Sequence, residues 1–271
     1  MRLITGLQAV REAIRVHGDK LDKVYLVQDG GPQIDAVARF AEGRGAVVTR
    51  IVRLDLDRMA RGARHQGAIA VAPDLALVPL DVVAESFADN PNAIVVALDE
   101  IEDPQNFGAV IRSAVALGAT GILWPEHHAA PLSPATFRAS AGAVEHAMLC
   151  RVAALPRALE QLHEAGATII GLDAHAPQAV EDLELEGPVV LVVGAEGKGL
   201  RHPVKRACTQ LAKLGMKGPI GSLNASVAAG IALYTVLRRR KGVVVDTAPV
   251  AGSEEPADDS ADDSAAADDQ E

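Results

Sequence analysis

The sequence predicts an α/β protein whose larger part is a parallel sheet with helices on both faces. Three observations carry that prediction. From Ala93 onward, short β-branched runs alternate with helix-patterned runs, the order that builds a parallel sheet. Some runs are apolar throughout, as in Val189-Val190-Leu191-Val192-Val193, which is how strands buried on both faces read. Of the 271 residues, 49% are hydrophobic and only 3% aromatic, so the chain can bury a sizeable, largely aliphatic core.

Residues 1–74 read as a separate small α/β unit. Residues 7–16 have amphipathic helix spacing, 24–27 form a short strand, 34–42 a helix, and 46–51 and 68–72 two further strands. The unit holds 12 basic and 9 acidic residues. Arg58, Arg61, Arg64 and His65 cluster before a turn at Gly67; they form either a solvated surface or an RNA-contacting patch. Residues 75–92, with Pro79, Pro91 and several acidic side chains, read as a linker. The second unit, 93–241, is expected to run strand 93–98, helix 107–117, strand 121–124, helix 134–141, then strands 147–152, 168–172, 189–193 and 210–214. A last helix covers about 222–239, and it carries no charge from Ala225 to Leu237. A solvent-facing helix would show a charged face, so this one is predicted to be buried on most sides. Residues 242–271 are rich in Ala, Asp, Ser and Glu and are predicted to be a disordered tail.

The formal charge of −10 belongs to that tail. It holds ten acidic residues and no Lys or Arg, which leaves 26 acidic and 26 basic residues in 1–241. An acidic whole therefore does not argue against an RNA partner. The two cysteines, Cys150 and Cys208, fit neither a disulfide framework nor a metal site, and reduced core cysteines suit a cytoplasmic protein. Arg2, Arg11, Glu12 and Arg15 lie too early for a signal-peptide core. No apolar run approaches the ~18 residues of a membrane span, so neither a membrane nor a metal is expected as a partner.

Three segments beside predicted strands can carry chemistry, because open α/β sheets bind ligands beyond the carboxyl ends of their strands. The first is 98–108, where Asn106 suits a helix cap and Arg112 follows on an otherwise apolar helix. A lone guanidinium there needs an acceptor or a cleft. The second, Gly194-Ala195-Glu196-Gly197-Lys198-Gly199, follows the most apolar strand. Its G-x-x-G-x-G order is neither the dinucleotide fingerprint nor a phosphate loop, and Glu196 would repel an anion. The third enters the last helix through a loop rich in Gly and Pro, 215–221, then Ser222, Leu223 and Asn224. Such a loop implies an unusual backbone path.

Taken together, Asp103-Pro104-Gln105-Asn106-Phe107-Gly108-Ala109-Val110-Ile111-Arg112-Ser113-Ala114, the 194–199 segment and Ser222-Leu223-Asn224-Ala225-Ser226-Val227-Ala228 resemble the three motifs of the SpoU (TrmH) family. These are RNA 2′-O-ribose methyltransferases of the SPOUT superfamily. Gly6-Leu7-Gln8-Ala9-Val10 and His65-Gln66-Gly67 extend the resemblance to the substrate-binding domain of the branch that includes the 23S rRNA guanosine-2′-O-methyltransferases. The resemblance implies a deep trefoil knot, a homodimer, and S-adenosylmethionine held at Gly194, Glu196, Gly197, Leu214, Met216, Leu223 and Asn224. It implies catalytic roles for Asn106, Arg112, Glu196, Ser222 and Asn224, with Arg112 at the ribose 2′-hydroxyl, and an RNA-binding role for the first domain. Gly215 stands where family members often carry Pro. A tRNA methyltransferase and a non-catalytic RNA-binding protein with the same fold are the alternatives.

Overall fold

A computed structural model of the chain describes residues 1–219 and 221–240; the predicted tail, 242–271, lies outside them. The first unit is a four-stranded sheet, β1 (Arg2–Thr5), β2 (Lys23–Val27), β3 (Val48–Ile51) and β4 (Ala68–Ala72), in the order β1-β4-β2-β3. Three helices belong to it: α1 (Leu7–His17), α2 (Gly31–Gly43) and α3 (Arg53–Ala60). Strand β1 and helix α3 go beyond the sequence expectation. Strand β1 is short and gains its place only by antiparallel pairing with β4, Arg2 opposite Ala72 and Thr5 opposite Ile69.

The segment 75–92, expected to be a linker, instead holds α4 (Leu80–Asp89). Pro79 is its N-cap, and Val83 and Phe87 are buried. The prolines flank the helix and do not break it, because Pro is tolerated at helix starts. Leu77 also makes a parallel bridge to Leu149, so this stretch packs on the second unit.

That unit continues as β5 (Ile94–Asp99), α5 (Pro104–Ala116), β6 (Gly121–Pro125), α6 (Pro134–Ala139), β7 (Met148–Val152), α7 (Leu155–Glu164), β8 (Thr168–Leu172), β9 (Gln178–Ala179), β10 (Val189–Gly194), α8 (His202–Ala207), β11 (Gln210–Lys213) and α9 (Ala225–Arg239). Its sheet runs β7-β6-β5-β10-β8-β11-β9, with parallel pairing throughout. Alternation explains the apolar strands. Ile94, Val96, Leu98, Leu191 and Val193 pack with α5 and α9 on one face. Val95, Ala97, Val190 and Val192 pack with α4, α7 and α8 on the other. Both sets are buried, as a doubly covered sheet requires.

The two units dock through charge. Arg2 forks onto the two carboxylate oxygens of Glu145 at 2.7 and 2.5 Å, and His17 Nε2 lies 2.8 Å from the same group. The Glu145 side chain is 1% exposed. His146 Nε2 meets Glu12 at 2.9 Å in the opposite direction.

The last helix departs from its expectation. Ala225, Ala229, Ala232, Leu233 and Val236 are buried, and Gly230 comes close to Ser113 of α5. Yet Val227, Ile231 and Tyr234 are 48%, 45% and 52% exposed. An uncharged helix is here one with an apolar outer stripe, not one covered on most sides within its own chain. Arg240, just beyond it, turns inward, donating to the carbonyls of Asn92, Ala93 and Gly187.

Candidate active site

The parallel strands β8, β10 and β11 end on one side of the sheet, and a cavity of about 300 Å³ opens there. Its apolar walls include Leu172, Val193, Leu214, Met216 and Leu223. Gly194, Glu196, Gly197 and Ser222 also line it. So do Asp173 and Lys205, paired at 2.5 Å. The hydrogen bond from Lys205 holds the Asp173 carboxyl below the usual carboxylate range, against the opposing effect of burial.

The 194–199 loop is a closed turn. Gly199 N donates to the Ala195 carbonyl at 2.8 Å, and Gly197 and Gly199 have φ of 77° and 66°. A Cβ on Gly194 would fall 2.3 Å from the Gly199 carbonyl carbon. Gly194→Ala is therefore expected to destabilise the domain by about 3 kcal/mol, by overpacking against rigid backbone; urea unfolding measures it. The return of the loop is pinned by Asp99, fully buried at the end of β5. Asp99 accepts from Arg201 N at 2.8 Å and Arg201 Nε at 2.7 Å. The sequence singled out neither residue. A carboxylate closing an apolar strand is the signal that points to it.

Asn224 joins the three segments. Its Nδ2 donates to Asn106 Oδ1 at 2.9 Å and to Glu196 Oε2 at 3.1 Å. Its Oδ1 accepts from Ser226 N at 3.0 Å and Ser226 Oγ at 2.6 Å. One amide thus caps α9 and ties α5 and the glycine loop to it. The cap of α5 falls on Asp103, whose side chain accepts from Gln105 N and Asn106 N at 3.1 and 3.2 Å, and not on Asn106. Pro104 presets the first helical position, which leaves the Asn106 side chain free to face Asn224. Ser222 lies exposed at the cavity mouth.

Arg112 stands apart from this cluster. It is exposed on α5 and makes no hydrogen bond or ion pair among the described residues. The basic group of the first unit divides. Arg58 is exposed and pairs with Asp55 at 3.0 Å. His65 is buried, with Nε2 2.8 Å from Asp57 and Nδ1 accepting from Gly67 N at 3.1 Å. Its ring shapes the turn at Gln66 and Gly67. Arg61 and Arg64 are exposed.

Both cysteines are free. Burial pushes the Cys150 thiol up to about 11; burial, then Asp99, pushes Cys208 up to about 12. Among the described residues no group of His, Cys, Asp and Glu could hold a metal ion, and no helix is long and apolar enough to cross a membrane.

Comparison with known proteins matches both units. The model of the SpoU rRNA Methylase family matches residues 93–234. That of the RNA 2′-O ribose methyltransferase substrate-binding domain matches 3–77. An uncharacterized tRNA/rRNA methyltransferase from Mycolicibacterium vanbaalenii is 38% identical over 242 residues, 88% of this chain and 77% of the relative. Among solved structures, the AdoMet-bound rRNA methyltransferase of Sinorhizobium meliloti has a TM-score of 0.67 at 26% identity, covering 87% of this chain and 86% of its own. The SpoU methyltransferase AviRb of Streptomyces viridochromogenes, in complex with AdoMet, has a TM-score of 0.68 at 26% identity, covering 88% and 89%.

Proposed function

Since the chain belongs to the SpoU rRNA methylase family and is an RNA methyltransferase, we propose that it moves a methyl group from S-adenosylmethionine to a ribose 2′-hydroxyl of a guanosine in 23S rRNA. The observation that carries this is the Asn224 amide, which draws Asn106, Glu196 and the start of α9 together beside the cavity. The cavity suits the cofactor. Its volume is at the lower end of small-molecule sites. Its leucine, valine and methionine walls suit an adenine ring and the aliphatic carbons of the methionine part, and its Asp173–Lys205 edge suits polar ends. Gly194, Gly197, Leu214, Met216 and Leu223 form that wall.

Bound S-adenosylmethionine supplies a methyl group on a cationic sulfur, which leaves as a neutral thioether. Arg112, always protonated, is a poor base. It binds the phosphate beside the target ribose, orients the 2′-hydroxyl and stabilises negative charge as it develops on that oxygen, whose proton passes to solvent water as the O–C bond forms and the S–C bond breaks. Asn106 and Asn224 hold Glu196 in place, and Ser222 closes the wall between cofactor and ribose.

The first domain would carry the RNA through its exposed arginines. The stripe of Val227, Ile231 and Tyr234 would be the contact between two copies of the chain in a homodimer, since an uncovered apolar helix face suits a subunit interface. A trefoil knot is what membership of the SpoU family implies for this chain. The protein is expected to work in the cytoplasm. A tRNA ribose is the second reading, favoured by relatives named tRNA/rRNA methyltransferase. Mapping 2′-O-methylation across cellular RNA with and without this protein separates them. A methyl group lost from one 23S rRNA guanosine is the expected result. Loss confined to tRNA overturns the rRNA target, and no loss anywhere overturns ribose methylation.

A further inference from the structure

We infer that the cleft between the two domains is a binding site for the RNA backbone, built by Arg61 and Arg64 from one domain and Arg138 from the other. The inference rests on the RNA-methyltransferase reading and says where part of that RNA lies. A cavity of about 730 Å³ opens between β1, the 59–64 segment that closes α3, and α6. Arg2, Arg61, Arg64 and Arg138 line it, and no Asp or Glu does. Arg2 is neutralised by Glu145 and lies over the Phe137 ring at 5.4 Å. The other three are exposed, and their side chains make no hydrogen bond or ion pair among the described residues. Arg58, one turn before Arg61, is by contrast paired with Asp55.

Three guanidinium groups around one space without a counter-charge repel one another, and an anion relieves that repulsion. Their forked donors match phosphate oxygens. The space is more than twice the volume of the cavity beside Asn224, so it suits a stretch of strand better than a lone phosphate.

The cleft also lies beside the reacting end of the molecule. Helix α6, which carries Arg138, packs on α5 at Gly108, where a Cβ would sit 2.5 Å from Ala139 Cβ and from the Thr136 carbonyl oxygen. Arg112 is four residues past Gly108, one turn on along the same side of α5. A strand held by Arg61, Arg64 and Arg138 therefore passes the helix pair that presents Arg112. Phosphate contacts fix register and orientation without reading sequence, so the cleft sets which nucleotide reaches the site by distance along the strand.

The test titrates the full chain with a fluorescein-labelled single-stranded RNA of mixed sequence over a salt series. Arg138→Ala is expected to weaken binding about 3- to 10-fold at low salt and to reduce the salt slope by about 0.7. In turnover it raises KM for RNA and leaves kcat and S-adenosylmethionine affinity unchanged. Arg157→Ala, on α7 across the sheet, is the control and is expected to match wild type. Unchanged binding and slope in Arg138→Ala, or an equal loss in Arg157→Ala, overturns the cleft. Failure of the methyltransferase reading is a separate result: wild-type protein that transfers no methyl group to any RNA, whatever the slopes.

Discussion

Arg112→Ala is expected to slow methyl transfer by about 10³-fold, about 4 kcal/mol of barrier, while S-adenosylmethionine binds as before. The side chain is exposed and has no partner among the described residues, so its loss leaves the fold within about 0.5 kcal/mol of wild type. That separation is what makes the experiment informative. A residue whose side chain makes no structural bond, on a helix that is otherwise apolar or small from Phe107 onward, is held for something outside the chain. Arg112→Lys keeps the charge but loses the planar fork, and recovers only a small part of the rate. Single-turnover transfer of a tritiated methyl group, with isothermal titration of the cofactor, reads both quantities. Wild-type turnover in Arg112→Ala would sink the assignment.

Asn224→Asp is expected to lower both cofactor affinity and turnover by about 10- to 100-fold with a stability loss under about 1 kcal/mol. Aspartate keeps an acceptor for Ser226 N, so the cap of α9 survives. On the other side, a carboxylate oxygen replaces the Nδ2 donor. Asn106 can answer by turning its own amide around, but Glu196 cannot. Two carboxylates then face each other beside the cavity, and one must take up a proton or move away. Activity should partly recover as pH falls, because protonating one of the pair removes the repulsion. Asn224→Ala loses the cap as well and costs a further ~1 kcal/mol, measured by denaturant unfolding. An Asn224→Asp variant with wild-type activity at neutral pH would show that the three-segment junction is only a fastening.

Much of this was legible in the residues. The alternation from Ala93 and the all-apolar strands place β5, β6, β8 and β10 within a residue or so of their observed bounds. Elements read poorly where their reason lies elsewhere in the chain. Strand β1 exists through its pairing with β4, and α4 through Val83 and Phe87 reaching the second core. The site divides in the same way. Asn106, Glu196 and Asn224 announce themselves as polar residues at the ends of apolar elements, and they meet. Asp99 and Arg201 are 102 positions apart, and nothing local links them. His65 reads as part of a basic surface, yet it turns inward to satisfy Asp57 and Gly67. The uncharged stretch of α9 is ambiguous by nature, because a helix covered by its own chain and one awaiting a second copy have the same composition.

The position of β10 has a consequence for synthesis. This strand sits between β5 and β8, which do not pair with each other, yet it is the last strand but one to be made. Until residue 194 clears the ribosome, the nascent sheet is a β5–β6–β7 fragment and an unpaired β8. Residue 240 must follow before Arg240 can clasp the carbonyls of Asn92, Ala93 and Gly187 at the opposite end of the domain. Pairing across such separations is slow and leaves apolar edges open while it waits. The first domain, complete by residue 74, is free of that delay. A nascent chain can therefore present a finished first domain well before the sheet of the second is complete.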